Sequence, residues 1–205
     1  MFKKIASEAL GLSDIGVVVP KSDFDKTDSD DFIISEKNEQ IYFLIKTKAD
    51  EYCFTNLALI HVDGTSALSK KRLLKRYDYE FHTLENVFLE TAGTIDLDVE
   101  IKFTMSNEDF SIDIHKKFIN EIKDLYKALH AISVEQKHAA YNLKAAEESL
   151  QIAANAIGRS GSAAPVSAAE SFEQITKFAN DWLVEQKATH RKKDFGDVYE
   201  LFIQN

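Results

Sequence analysis

Cysteine, proline and glycine are scarce in this chain, with one, two and seven copies among 205 residues. A single cysteine cannot form an internal disulfide. Cys53, in EYCFTN beside Phe54, reads as a strand position and not as an activated thiol. With so few glycines, a backbone cradle for phosphate is not expected. HExxH, GxSxG and Cys-His nucleophile arrangements are also missing, and the six histidines show no ligand spacing. These absences predict a protein that is not an enzyme and carries no cofactor or metal. No apolar run approaches the ~18 residues of a membrane span, and MFKKIASEALGL lacks the apolar core of a signal peptide. The expected location is the cytoplasm. Basic residues are in deficit as well. The net charge is -9, and residues 1–115 hold 13 Lys and Arg against 22 Asp and Glu, whereas residues 116–205 hold 12 of each. An acidic N-terminal body argues against nucleic acid, whose binding needs a basic surface, and weakens any claim to anionic lipid.

The clearest pattern lies in LETAGTIDLDVEIKF, residues 89–103. After the turn at Gly93, Ile95, Leu97, Val99, Ile101 and Phe103 alternate with Asp96, Asp98, Glu100 and Lys102, the signature of a half-buried antiparallel strand. Around it the spacing predicts short strands from about 32 to 114. IYFLIK is followed by YCFTNLALIHV, divided by a bend at Asn56, then a turn at Asp63-Gly64. Further strands are predicted over 70–79, 84–89 and 110–114, about seven in all. A short amphipathic helix is expected over 1–12, and a solvated acidic loop over 13–31. From residue 116 a helix begins whose Phe118, Ile122, Leu125, Leu129 and Ile132 share one stripe.

FLETAGTIDLDVEIKFTM, preceded by KKRLLKRYDYEFHTLENV and followed by FSIDIHKKF and a helix, resembles the bacterial pleckstrin-homology (PH) domains of the YvbH-like kind. The resemblance spans roughly residues 5–132. It implies an α+β fold in which a PH-like barrel of antiparallel strands is closed at one corner by a C-terminal helix. The segment after it is similar to the helical extension of that family, described as an oligomerisation region. The resemblance thus implies cyclic self-assembly and no activity.

The apolar seam does not stop at Ile132. It runs on through Leu143, Leu150 and Ile157 in the same register, so the helix would extend about 60 Å. After GRSGSAAPV, Ser167 and Glu170 are spaced as a capping box, and Phe172, Ile175 and Trp182 follow at helical intervals. Arms of nearly equal length, 133–157 and 167–190, predict an antiparallel helical hairpin, so the domains are a PH-like body over 1–132 and a hairpin extension over 133–205. Phe178, Leu183 and Val184 lie off the second arm's main line, and a last short helix is expected from Asp194 with Phe195, Val198, Tyr199 and Phe202 on one side. The surplus apolar surface meets either another subunit or the body itself.

The candidate interface is therefore Leu143, Leu150, Ile157, Phe172, Ile175, Phe178 and Trp182. The expected partner is a second copy of the chain, with another protein also open. The alternative is a peripheral membrane or anionic-ligand module using the basic cluster Lys70, Lys71, Arg72, Lys75 and Arg76, although the first hairpin turn, KTKADE, does not match the phosphoinositide motif of eukaryotic PH domains. The carboxylates Asp96, Asp98 and Glu100 read as the polar face of a sheet.

Overall fold

A computed structural model describes residues 14–64, 72–91, 98–159 and 168–203. The expected N-terminal helix, Gly93, Ile95, Leu97 and Asp96 lie outside them. Two antiparallel sheets form. One contains β1 (Val17–Val18), β2 (Ile41–Lys46), β3 (Glu51–Thr55), β4 (Ala58–Asp63) and β5 (Leu73–Asp78) in that order. The other contains β6 (Leu84–Glu90), β7 (Asp98–Met105) and β8 (Glu108–His115). Among the described residues β2–β8 are the seven strands expected from about residue 32 onward, and β1 adds an eighth before them. The bend at Asn56 falls as its sequence suggested, between β3 and β4.

Helix α1 (Ile119–Arg159) follows β8, then α2 (Ala168–His190) and α3 (Gly196–Phe202). No helix among the described residues is long and apolar enough to cross a membrane.

The two sheets show how periodicity reports burial. β7 alternates without a fault, with Val99, Ile101, Phe103 and Met105 buried and the residues between them half-exposed, because only one of its faces is covered. β4 instead reads as a continuous apolar run because both faces are buried. Leu59 points into the core with Phe54, Phe103 and α1, while Ile60 and Val62 join Val19, Phe24, Leu44 and Cys53 in a second cluster on the opposite face. The first helical stripe behaves as predicted, with Ile122, Leu125, Leu129 and Ile132 fully buried, each contributing roughly 1.5–3 kcal/mol.

The acidic segment corrects the expectation of a solvated loop. Residues 17–37 form β1 and three short 3-10 turns that cover the outer face of the five-stranded sheet. Sequence reasoning overlooked what holds them. Glu51, 3% exposed, accepts hydrogen bonds from the backbone N–H of Asp28 (3.2 Å) and Ser29 (2.9 Å) and from the Ser29 hydroxyl (2.6 Å). Burial alone would push its carboxyl up, but the Lys46 ammonium and the Ser29 donors together hold it below the usual carboxylate range. The entry into β1 needs Gly16, where a Cβ would stand 2.9 Å from an Ile45 methyl and 3.0 Å from the Asp113 carbonyl. Its backbone bonds to Asp113 (2.7 Å) and His115 (2.9 Å) tie β1 to β8.

The chain divides into two compact units. The first comprises the described residues through Val134 together with those from Lys193 onward, and the second comprises Glu135–Lys192. Helix α3 belongs to the first by its packing. Phe195, Val198 and Tyr199 are buried in the main core, Tyr199 stacks on Tyr42 at 5.3 Å, and its hydroxyl meets that of Tyr79 at 2.5 Å. Asn56 secures the same segment. Its side chain donates to Asp194 (2.7 Å), and its carbonyl accepts from the Phe195 N–H (2.8 Å).

Candidate functional site

Strand periodicity disperses the basic cluster. Adjacent residues on β5 point to opposite faces, so Lys75 and Arg76 do not share a surface. Lys75 pairs with Glu108 at 3.3 Å, and Arg76 pairs with the buried Glu39 at 3.0 Å and with Asp78 at 2.8 Å. Arg72, before the strand, faces Asp28 at 3.6 Å. Lys70 and Lys71 lie outside the described residues. Every described member of the cluster therefore has a carboxylate neighbour, which lowers the potential available to an external anion. Gly64 stands at the end of β4, where a Cβ would collide with the Ala49 carbonyl and the Arg72 guanidinium, so close approach of chains is what requires glycine there.

The acidic face of β7 is similarly engaged. Glu100 contacts Lys102 at 2.9 Å and hydrogen-bonds Ser111, and Lys102 also reaches Glu90 at 3.1 Å. No group of three or more potential metal ligands exists among the described residues. Cys53 is fully buried, and burial pushes its thiol well up from the ordinary range, with Glu51 and Glu39 adding to the effect. It is not poised as a nucleophile.

The second unit is different in kind. Its two arms are the distal part of α1 and the whole of α2. Leu143 and Leu150 on the first arm and Trp182 on the second are half-buried, as is Leu183. The side chain of Ile157 lies outside the description. The other candidates face outward. Phe172 is 72% exposed, Phe178 70% and Ile175 42%, and Val184 and Ile152 are also open to solvent. Two large side chains missed in the sequence, Tyr141 and Ile152, lie two residues off the Leu143 and Leu150 seam, which sets them across the helix from it. Apolar residues displaced from the seam were the available signal.

Between the arms runs a groove of about 560 Å3, with Leu150, Ala153, Ala154, Ile175, Phe178 and Leu183 among its walls. Alanines on the first arm leave the space, and the aromatic on the second stands at its edge. Gln151 to Gly158 contain no charged residue. A helical pair carrying both a largely apolar groove, with Glu147, Gln151 and Gln174 at its polar positions, and protruding phenyl rings is chemically suited to apolar association.

Comparison with known proteins finds two family matches, the second of which runs through α3 of the first unit as well as the hairpin. The bacterial PH domain family matches residues 9–133, and the YvbH-like oligomerisation region matches residues 144–205. The chain is 52% identical over its full length, and over the full length of the relative, to the uncharacterized protein YvbH of Bacillus subtilis (strain 168). It also resembles the crystal structure of a PH domain containing bacterial protein from Exiguobacterium sibiricum 255-15. The identity is 43% and the TM-score 0.84, covering 93% of this chain and 100% of that one.

Proposed function

Given that the chain belongs to the bacterial PH domain family and carries the YvbH-like oligomerisation region, we propose that it is a non-catalytic scaffold that assembles with copies of itself through the helical hairpin. The observation that carries this reading is the exposure of Phe172, Phe178, Ile152 and Val184 on a hairpin that also bears an apolar groove. Each phenyl ring removed from water in an interface contributes roughly 1.5–3 kcal/mol. A ring seated in the groove of the next copy makes a head-to-tail contact, which closes into a ring when the rotation permits. The assembly is cyclic and cytoplasmic, and it presents the PH-like bodies as a repeated surface for another protein. Nothing specific favours the anionic-ligand alternative, since Arg72, Lys75 and Arg76 each face a carboxylate.

The test is the solution mass of a Phe172→Ser/Phe178→Ser variant by light scattering. Both side chains are mostly exposed, so the helical circular dichroism should persist while the mass falls. A mass unchanged from wild type would remove the hairpin from the assembly interface.

A further inference from the structure

A second cavity, of about 550 Å3, lies in the first unit. Its apolar walls are Phe24, Ile33, Ile41 and Ile203, and Tyr42 adds an aromatic surface. Its polar rim carries Lys21, Asp30, Glu39 and Glu200. Glu39 is already engaged, accepting from the Thr55 hydroxyl (2.7 Å) and the Ile34 N–H (2.8 Å) and pairing with Arg76. The charges open to a ligand are thus two carboxylates, Asp30 and Glu200, against the single ammonium of Lys21.

The backbone beside Asp30 and the carboxylate of Glu200 are each held in position. Asp30 follows Ser29, the first residue of the 3-10 turn Ser29–Phe32, which Glu51 anchors through the Ser29 N–H and hydroxyl. The Asp30 carbonyl accepts from the Ile33 N–H at 3.3 Å, and its exposed side chain has no hydrogen-bond partner among the described residues. Glu200 accepts the Tyr42 hydroxyl at 3.0 Å through Oε1, and the Tyr42 ring is fixed by stacking on Tyr199. The second carboxylate oxygen of Glu200 accepts no hydrogen bond among the described residues.

We propose that this cleft binds the lysine or arginine side chain of an extended polypeptide. The aliphatic stem lies against Phe24 and Ile33, the cationic head lies between Asp30 and Glu200 near the Tyr42 ring, and flanking apolar residues fill the remaining volume. An anionic ligand is disfavoured because two carboxylates outweigh one ammonium. A free alkyl amine has the same head group, but it leaves most of a cavity in the usual 300–1,000 Å3 range for ligand sites unfilled. This reading is independent of self-assembly, since none of the cleft residues lies in the hairpin.

Saturation-transfer NMR on the full chain tests it, using N-acetyl-Leu-Lys-Leu-amide as the probe, the Glu counterpart as control, and 1,5-diaminopentane as the free amine. Transfer is expected at the lysyl methylenes, absent for the Glu peptide and weaker for the diamine. In Asp30→Asn/Glu200→Gln affinity should drop about fivefold, the equivalent of two exposed ion pairs. Asp30→Asn alone, at an exposed side chain without a structural bond, should show about a twofold loss and keeps the test valid if the double variant unfolds. Equal binding of the Lys and Glu peptides, or binding indifferent to these substitutions, would overturn the proposal. A diamine that binds as tightly as the peptide would overturn its assignment to a polypeptide.

Discussion

Removing the hairpin by simple truncation and removing it by internal excision should give opposite outcomes for the first unit. A chain ending at Val134 loses α3 along with the hairpin. Phe195 and Tyr199, 1% and 0% exposed, would leave a void lined by Tyr79, Tyr42 and the sheet. Deleting a buried aromatic side chain costs about 3–5 kcal/mol, so these two represent about 6–10 kcal/mol. The 2.5 Å bond between the Tyr79 and Tyr199 hydroxyls would go with them. Total stabilities of about 5–15 kcal/mol do not withstand that loss. Excision of residues 136–191 avoids it. Lys192 reaches Glu135 at 2.9 Å, so the cut ends lie close together, and about four Gly/Ser residues, spanning roughly 11 Å, suffice to join them. The expected result is a folded excised chain with a cooperative thermal transition and a reduced assembly mass, beside a truncated chain that lacks a transition. A truncated chain that melts within a few degrees of the excised one would refute the role assigned to α3. An excised chain of undiminished subunit number would refute the role assigned to the hairpin.

Glu51 makes the first unit acid-sensitive. Its folded carboxyl titrates below the ordinary value, so its contribution is fully present above about pH 5 and is lost as the pH falls through the depressed value. Glu51→Gln should lower stability at pH 7 by about 1–3 kcal/mol and flatten the dependence between pH 5 and 3, as measured by urea denaturation. Equal pH slopes in variant and wild type would contradict the assigned network. Cys53 should resist iodoacetamide at pH 8 by at least about a thousandfold relative to the urea-unfolded chain, because reaching it requires opening the core. Rapid alkylation of the native protein would show that the outer cluster around Phe24 does not seal the sheet.

The sequence by itself determined the features that depend on local periodicity. The alternation of Val99, Ile101 and Phe103 placed β7 and its buried face, the Ile122 to Ile132 stripe placed α1, and Asn56 marked the break between β3 and β4. The ETAGT turn with its following strand also carried the family resemblance, and the capping box with the aromatic residues after it located α2. Such signals survive because a helix or strand face is set by residues only a few positions apart.

Tertiary structure alone decided which distant groups meet. The acidic segment became a structural cover because Glu51, 22 positions away, receives Ser29. The basic cluster lost its joint character because Glu39, Asp78 and Glu108 lie against it. The last helix joined the first unit because Asn56 and Tyr79 hold it from more than a hundred residues away. A charge or an aromatic ring in the sequence states what a side chain could do, but whether it is engaged depends on neighbours that only the folded chain brings together.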